Sequence, residues 1–256
     1  MPILQEGERL DQVNEDIRLI SKTRGLTFGT DAFLLASFVR PAPRGVAVEL
    51  GTGTGIISLL CAARGRFARI HALEIQEDFA TLAARNVILN GMTDRVLVRH
   101  CDLREVSSEN FGGEAEAVFA NPPYMRTDSG KRNDSEWKYI ARHEVCGTVE
   151  DFCSCAWRLL KHGGKFYCVW RPDRLSELMA SLTRNRLEPK QMVFVHGDPG
   201  AEPSMVLISA TKGGAPGMRI LPPLFLHDQA GDGGGARPLS ERAARIYDTM
   251  NFHGAP

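Results

Sequence analysis

Short apolar runs alternate with longer amphipathic runs from residue 46 to residue 120. The apolar runs have the length of buried strands and the amphipathic runs have helical spacing. Strands that alternate with helices in this way form a parallel sheet with right-handed crossovers. The predicted strands are 46–50, 69–74, 95–100 and 115–120, and the predicted helices between them are 56–64 and 78–90.

The pattern continues beyond residue 149, where helices are predicted at 149–160 and 174–186 and strands at 165–170, 192–196 and 205–211. The last two strands are joined by a Gly197–Gly200 loop that is too short for a crossover helix, so they should pair antiparallel. Two further helices are predicted, one at 32–39 capped by Thr30 or Asp31 and one at 240–250. The sequence therefore predicts an α/β fold with a mostly parallel sheet and one antiparallel strand.

No repeat or linker divides the 256 residues, which predicts a single domain over 1–256. Residues 1–16 are charged and lack periodicity, so we expect a flexible lead-in, and residues 17–26 could form a short hairpin. Residues 125–147 interrupt the strand–helix rhythm with a polar insertion, which we interpret as a lid facing the substrate.

The composition limits the functional classes. Lysine plus arginine equals aspartate plus glutamate, 31 of each, so the chain is unlike a general charge-driven nucleic-acid binder. It has no signal-peptide pattern and no apolar run of membrane length, so we expect a soluble cytoplasmic protein with no membrane contact. The histidines and cysteines show no ligand spacing, which predicts that no metal is bound.

A glycine-rich turn, Gly51-Thr52-Gly53-Thr54-Gly55, joins the first predicted strand of the sheet to its helix. Glycines at such a turn allow a ligand to approach the backbone closely. A dinucleotide fold requires GxGxxG, and a P-loop requires a lysine that is missing here. The GxGxG spacing therefore disfavours both phosphate-binding alternatives.

Carboxylates stand at three successive predicted strand ends, at Glu49, Glu74 and Asp102. Taken singly, each could be a solvated strand terminus. Together they would make a poor phosphate site, but they suit a cationic ligand that carries an adenosine, and S-adenosylmethionine is one. A carboxylate at Glu74 can accept both ribose hydroxyls, and Asp102 could accept from the adenine amine.

The fourth strand ends in Asn121-Pro122-Pro123-Tyr124. Two prolines fix two φ angles and remove two N–H donors, which leaves a stiff segment with bare carbonyls between an amide and an aromatic ring. The segment could be a rigid strand exit, yet in open α/β sheets this is also where ligands bind.

The glycine turn, the three carboxylates and the Asn-Pro-Pro-Tyr segment together resemble the class I S-adenosylmethionine-dependent methyltransferases that methylate amines. Three stretches, 29–36, 121–125 and 203–208, resemble more narrowly the bacterial tRNA(Val) adenine-N6-methyltransferases. The resemblance covers about residues 17–250. It implies a Rossmann-like seven-stranded sheet with helices on both faces, S-adenosylmethionine as cofactor with S-adenosylhomocysteine as product, and an adenine of the tRNA anticodon loop as substrate.

The resemblance also assigns residues to roles. In the implied catalytic segment, the oxygen of Asn121 and the carbonyl of Pro122 accept the two N–H groups of the amine, and Tyr124, after Pro123, stacks on the base. The implied cofactor residues are Thr30, Glu49, Gly51, Thr52, Gly53, Thr54, Gly55, Glu74, Ile75, Asp102, Leu103 and Asn121. The insertion offers Arg126, Lys131, Arg132, Lys138, Arg142 and His143 as candidate RNA contacts, interleaved with aromatic rings.

Other acceptors stay open, because an Asn-Pro-Pro-Tyr segment selects planar amines in general. A protein glutamine or the N2 amine of an rRNA guanine would suit it as well. Outside this class, the alternatives are a nucleotide-binding oxidoreductase or a binding module that kept only the fold. The oligomeric state stays open.

Overall fold

In the computed structural model, helices pack on a central β-sheet. The structure describes residues 4–23, 29–122, 147–229 and 237–254. The strands in these ranges are β1 Glu8–Gln12, β2 Arg18–Lys22, β3 Ala42–Leu50, β4 Phe67–Glu74, β5 Val96–His100, β6 Ala115–Ala120, β7 Leu160–Trp170, β8 Leu187–His196, β9 Pro203–Lys212, β10 Arg219–Ile220 and β11 Leu224–Phe225. The α-helices are α1 Thr30–Phe38, α2 Ile56–Ala63, α3 Glu77–Leu89, α4 Val149–Leu159, α5 Leu175–Arg184 and α6 Glu241–Thr249. Two short 3-10 helices lie at Ser108–Phe111 and Pro172–Arg174.

Seven long strands form the sheet in the order β8-β9-β7-β6-β3-β4-β5. Among the described strands of this sheet, β9 alone runs antiparallel to its neighbours, β7 and β8. The prediction of a mostly parallel sheet with one antiparallel strand is therefore confirmed. The tail adds β10 and β11, which pair with two short stretches of β8 and which the sequence did not predict.

Two apolar clusters cover the opposite faces of the sheet. Along a strand, neighbouring side chains point to opposite faces, so Ala47 and Phe119 belong to one cluster while Val48 and Val118 belong to the other. The first cluster includes residues of α1, α2, α3 and α6, and the second includes residues of α4 and α5. Each buried Phe, Leu, Ile or Val contributes about 1.5–3 kcal/mol by leaving water. Helices on both faces are thus confirmed.

The N-terminal region differs from its prediction. Instead of a flexible lead-in over 1–16 and a hairpin within 17–26, β1 and β2 pair antiparallel, with Leu10 opposite Ile20. Ile17 and Leu19 are buried in the first apolar cluster with Val87 of α3, whereas β1 is mostly polar and has no fully buried residue, which is why periodicity gave no signal for it. Arg85 of α3 pairs with Glu8 at 2.7 Å and lowers the pKa of that carboxyl to about 2.

One buried cation fastens the C-terminal segment to the sheet. Arg66, just before β4, donates from Nη1 to the carbonyl of Val39 at 2.6 Å and from Nη2 to the carbonyl of Met250. These carbonyls lie at the C-terminal ends of α1 and α6, where a positive charge is favoured by the helix dipole. Burial lowers the pKa of the Arg66 guanidinium, but this pair of contacts holds both helix ends together.

No helix in the described ranges has the length and apolar character needed to cross a membrane.

Candidate active site

The predicted site residues gather at the carboxyl ends of four neighbouring strands. The chain moves outward from β3 to β4 and β5, and then returns to place β6 on the other side of β3. Between β3 and β6 the connections leave in opposite directions, which opens a crevice at this switch point. The glycine turn follows β3 and Asn121 follows β6, so the fold brings both motifs to the same crevice.

Backbone geometry explains the spacing of the glycines. Gly51, Gly53 and Gly55 have φ values of +71°, +57° and +86°, a region that other residues rarely adopt. A Cβ built on Gly53 would stand in open space with no described atom within 4 Å. The alternating left-handed residues thus expose the turn at Gly53, as a ligand cradle requires.

Glu49 lies under this turn and is 1% exposed. Its Oε2 accepts hydrogen bonds from Thr52 Oγ1 at 2.6 Å, from the Ser58 backbone N–H at 3.1 Å and from Ser58 Oγ. Its Oε1 is buried and has no hydrogen-bond partner among the described residues. Burial, together with the nearby charge of Glu74, raises the pKa of the carboxyl to about 7. An unpartnered acceptor of this kind is costly to bury and is suited to a cationic or hydrogen-bonding ligand.

Glu74 and Asn86 hold the turn from below. Glu74 accepts from the Gly53 N–H at 2.8 Å and from the Gln76 N–H at 3.0 Å. Asn86, which is fully buried in α3, donates from Nδ2 to the carbonyl of Thr54 at 2.9 Å. The same amide bonds both backbone groups of Ile20 in the hairpin. Asn86 therefore ties the N-terminal hairpin to the glycine turn, a role that sequence reasoning missed.

The third carboxylate, Asp102, is paired rather than free. Arg104 binds it through the side chain at 2.6–2.9 Å and through its backbone N–H at 2.8 Å. These bonds lower the pKa of the Asp102 carboxyl. Leu103 is buried in the second apolar cluster, and Ile75 is partly buried beside the end of β4. Asp102 thus follows the C-terminal end of β5, as predicted, but its oxygens are already bound by the guanidinium of Arg104.

The amide of Asn121 contacts a residue that the sequence did not single out as functional. Its Nδ2 donates to Asp31 Oδ2 at 2.7 Å, across 90 residues of sequence. The prediction that Thr30 or Asp31 caps α1 differs from the structure, where Gly29 is the N-cap without a side-chain bond. Asp31 bonds the Ala32 N–H with its other oxygen, so its carboxylate joins the start of α1 to the end of β6.

The C-terminal helix α6 reaches the same corner. Tyr247 stacks on Phe33 with ring centroids 5.2 Å apart, and its hydroxyl is hydrogen-bonded to the side chain of Thr30. Burial raises the pKa of Tyr247, with the Asp31 charge contributing. The only sequence signal for this corner was the Gly29-Thr30-Asp31 stretch at a helix start, and it gave no indication that Tyr247 of α6 contacts it.

Some predicted residues cannot be placed. Pro122 is buried after β6, whereas Pro123 and Tyr124 lie outside the described residues. The predicted lid over 125–147 lies outside the described ranges except for its last residue, Gly147, and so do all six candidate RNA contacts, Arg126, Lys131, Arg132, Lys138, Arg142 and His143.

Comparisons with known proteins find similar sequences and similar folds among methyltransferases. The chain is 33% identical over 181 residues to a tRNA1(Val) (adenine(37)-N6)-methyltransferase of Phocaeicola vulgatus, covering 71% of this chain and 75% of that protein. A predicted O-methyltransferase from Agrobacterium tumefaciens has a similar fold, with a TM-score of 0.68 at 21% identity over 87% of this chain and 97% of that one. The M. jannaschii TYW2 structure in complex with AdoMet has a TM-score of 0.55 at 13% identity, covering 82% and 87% of the two chains.

The two structural matches establish the fold alone, which is that of the class I methyltransferases. A family profile described as methyltransferase small domain matches residues 23–186, a range that includes the glycine turn, the three carboxylates and the end of β6. This chain therefore belongs to the methyltransferase small domain family.

Proposed function

We propose that this protein transfers a methyl group from S-adenosylmethionine to the exocyclic N6 amine of an adenine in the anticodon loop of tRNA. The observation that carries the proposal is the arrangement of Asn121, whose amide nitrogen is bound to Asp31 at 2.7 Å. Its oxygen has no hydrogen-bond partner among the described residues and is the end that would accept from an amine, at the crevice beside the glycine turn. The relative from Phocaeicola vulgatus is named for this reaction at adenine 37.

The residues present fit S-adenosylmethionine. The buried, unpartnered Oε1 of Glu49 can accept from the ammonium of the cofactor's methionine part. The open space over Gly53 leaves room beside the turn, and Glu74, whose two oxygens already accept from the Gly53 and Gln76 N–H groups, would accept the ribose hydroxyls with its remaining lone pairs. Asp102 would have to share its oxygens between Arg104 and the adenine amine of the cofactor.

The chain's own contribution to the reaction is positioning. When bound, S-adenosylmethionine supplies an electrophilic methyl group on a sulfonium. The oxygen of Asn121 and the carbonyl of Pro122 would each accept one N–H, which holds the amine nitrogen as it becomes tetrahedral and positive. These acceptors are fixed before the reaction, by Asp31 for the amide and by the proline ring for the carbonyl. Holding the nitrogen in line with the methyl group supplies much of the rate.

The proton balance requires no strong base. The nitrogen gains a methyl group and then carries a positive charge, so one of its protons becomes acidic and passes to solvent. The products are the methylated amine, a proton and S-adenosylhomocysteine. This agrees with a site in which the carboxylate of Asp31 is already engaged by the amide of Asn121.

Recognition of tRNA would be local rather than general. The chain has no net charge, so long-range attraction to phosphates is weak and the contacts near the target base must carry the selectivity. A loop base also costs less to extract than a base inside a duplex. The basic and aromatic residues of 125–147 follow the catalytic segment directly in the sequence and are the candidates for these contacts.

The direct test incubates the protein with methyl-labelled S-adenosylmethionine and total tRNA from a strain that lacks it, followed by nucleoside mapping. We expect labelled N6-methyladenosine in tRNA, formed at least about 100-fold more slowly by the Asn121→Ala variant. A matched control is Asn185→Ala, because Asn185 also donates Nδ2 to a carboxylate at 2.7 Å, that of Glu150, outside the predicted site. Label on a protein glutamine or on rRNA guanine, with none on tRNA adenine, would overturn the assignment of the substrate.

A further inference from the structure

The two ends of the Asn121 amide have opposite hydrogen-bonding character. Its oxygen accepts, whereas its NH2 group donates. An amide that presents NH2 to an amine substrate would oppose two donors and repel the substrate. The proposed reaction therefore depends on which end of the amide faces the crevice.

Asp31 selects that end. A carboxylate only accepts, so the Asn121 atom that lies 2.7 Å from Asp31 Oδ2 must be the donor Nδ2. The opposite orientation would place two oxygens at hydrogen-bond distance without a hydrogen between them. The contact is part-buried, where competition from water is weaker than at the surface.

The carboxylate is itself held in place. Asp31 Oδ1 accepts from the Ala32 N–H at 2.9 Å, at the first turn of α1, where a negative charge is favoured. Tyr247 supports the same turn through its stacking on Phe33 and its hydrogen bond with Thr30. The start of α1 is thus a fixed platform rather than a loose chain end.

From these contacts we propose that Asp31 is a positioning residue for methyl transfer: it orients the Asn121 amide so that Oδ1 faces the substrate amine. This inference rests on the proposed function, because the reaction needs an acceptor at Asn121. It adds a residue that acts through Asn121 and touches neither the amine nor the methyl group.

The kinetic test compares Asp31→Ala, Asp31→Asn and the matched control Glu150→Ala, which removes the carboxylate of the similar Asn185 contact. Because a charge-assisted hydrogen bond is lost, we expect kcat to fall about 10- to 100-fold in Asp31→Ala. Asp31→Asn should fall less, since an amide at position 31 can pair with either orientation of Asn121. The control should stay within about twofold of the wild type, and cofactor Kd should stay within about threefold in all three.

An exchange of the two residues tests orientation itself. Asn121→Asp alone would place two carboxylates in contact, whereas Asn121→Asp combined with Asp31→Asn restores a donor–acceptor pair and still presents an oxygen to the amine. We expect the double variant to exceed Asn121→Asp in kcat by at least about tenfold. A merely structural contact would also be restored by the exchange, so the free energy of unfolding is measured in parallel: a structural role predicts that kcat follows stability, whereas an orienting role predicts a loss and rescue of kcat at temperatures where all variants are fully folded. Absence of the rescue overturns the proposal, as does an unchanged kcat in Asp31→Ala.

A readout without substrate separates this proposal from the proposed function. In a side-chain amide NMR spectrum of the intact protein, the Nδ2 proton that bonds Asp31 should be shifted downfield and exchange slowly with water in the wild type. Both properties should be lost in Asp31→Ala and kept in Glu150→Ala. If they are kept in Asp31→Ala, the orientation does not depend on Asp31. If they are lost and no tRNA is methylated, the orienting contact stands and the substrate assignment fails.

Discussion

The cleft has two halves that are built in different ways. The half at β3 and β4 is made mostly from one continuous stretch, in which Thr52 and Ser58 donate to Glu49 and the glycines shape the turn. The half at β6 depends on Asp31, which is 90 residues from its partner Asn121. The first half is a local motif completed by Glu74 and Asn86, whereas the second exists only after α1 and β6 have come together. A substitution in one half should therefore impair the function of that half and leave the other half intact.

The largest expected effect isolates the β6 half. Asn121→Ala removes the proposed acceptor of the amine, and loss of one such preorganised group lowers kcat about 100- to 1,000-fold. Cofactor Kd, measured by calorimetry, should change by less than about threefold because the glycine turn keeps its own contacts. An equal loss of transfer and cofactor binding would show that the halves are not separable.

A second substitution targets the tie beneath the glycine turn. Asn86→Leu leaves Thr54 and Ile20 with unpartnered buried backbone groups and should lower the free energy of unfolding by about 3 kcal/mol. The matched control is Asn90→Leu, because Asn90 bonds Arg18 of the hairpin in the same way but does not reach the turn. Denaturant unfolding measures both variants, and an equal loss in the two would argue against a special role for the turn.

The third change tests the β3 half, which is the proposed cofactor-binding half, by itself. Glu74→Ala removes the acceptor for the Gly53 N–H and for the proposed ribose hydroxyls, so Kd for S-adenosylmethionine should rise about tenfold. Once the cofactor is saturating, kcat should approach the wild-type value. Glu77→Ala, at the exposed start of α3, is the control. An unchanged Kd in Glu74→Ala would remove the ribose assignment.

The smallest effect is a pH dependence confined to the β3 half. The pKa of Glu49 is raised to about 7, so the group is neutral at pH 6 and charged at pH 8. Its contribution to stability is full below its unfolded pKa and is lost as pH rises through about 7. A cationic cofactor prefers the charged form, so the rise in Tm caused by S-adenosylmethionine should be larger at pH 8 than at pH 6. Glu49→Gln should make this increment independent of pH; an unaltered dependence would assign it to another group.

The difference between the halves also explains what the sequence could predict. The glycine turn, Glu49 and Glu74 are recognisable because strand ends and φ-positive glycines leave a local pattern. The seven strands and the reversal of β9 follow from apolar runs and loop lengths. These features are encoded within segments of fewer than about thirty residues.

The contacts that the sequence did not predict join distant segments through polar side chains. No hydrophobic periodicity predicts these contacts, which are those of Asp31 with Asn121, of Asn86 with Ile20 and Thr54, and of Arg66 with Val39 and Met250. The charged hairpin strand β1 was missed for the same reason, because Arg85 rather than an apolar stripe holds it. Such pairs are visible only when the fold brings their elements together.

Because α6 is near the C-terminus, the contacts of the two halves become available at different times during synthesis. The hydrogen-bonding residues of the β3 half lie between Glu49 and Asn86, so they are all translated well before α6. The first turn of α1 is supported by Tyr247, and its far end is held by Arg66 together with the Met250 carbonyl. A nascent chain halted after residue 229 would therefore carry the cofactor half of the site but would lack the supports under the residue that orients Asn121. The ability to transfer a methyl group would be acquired after the ability to hold its donor.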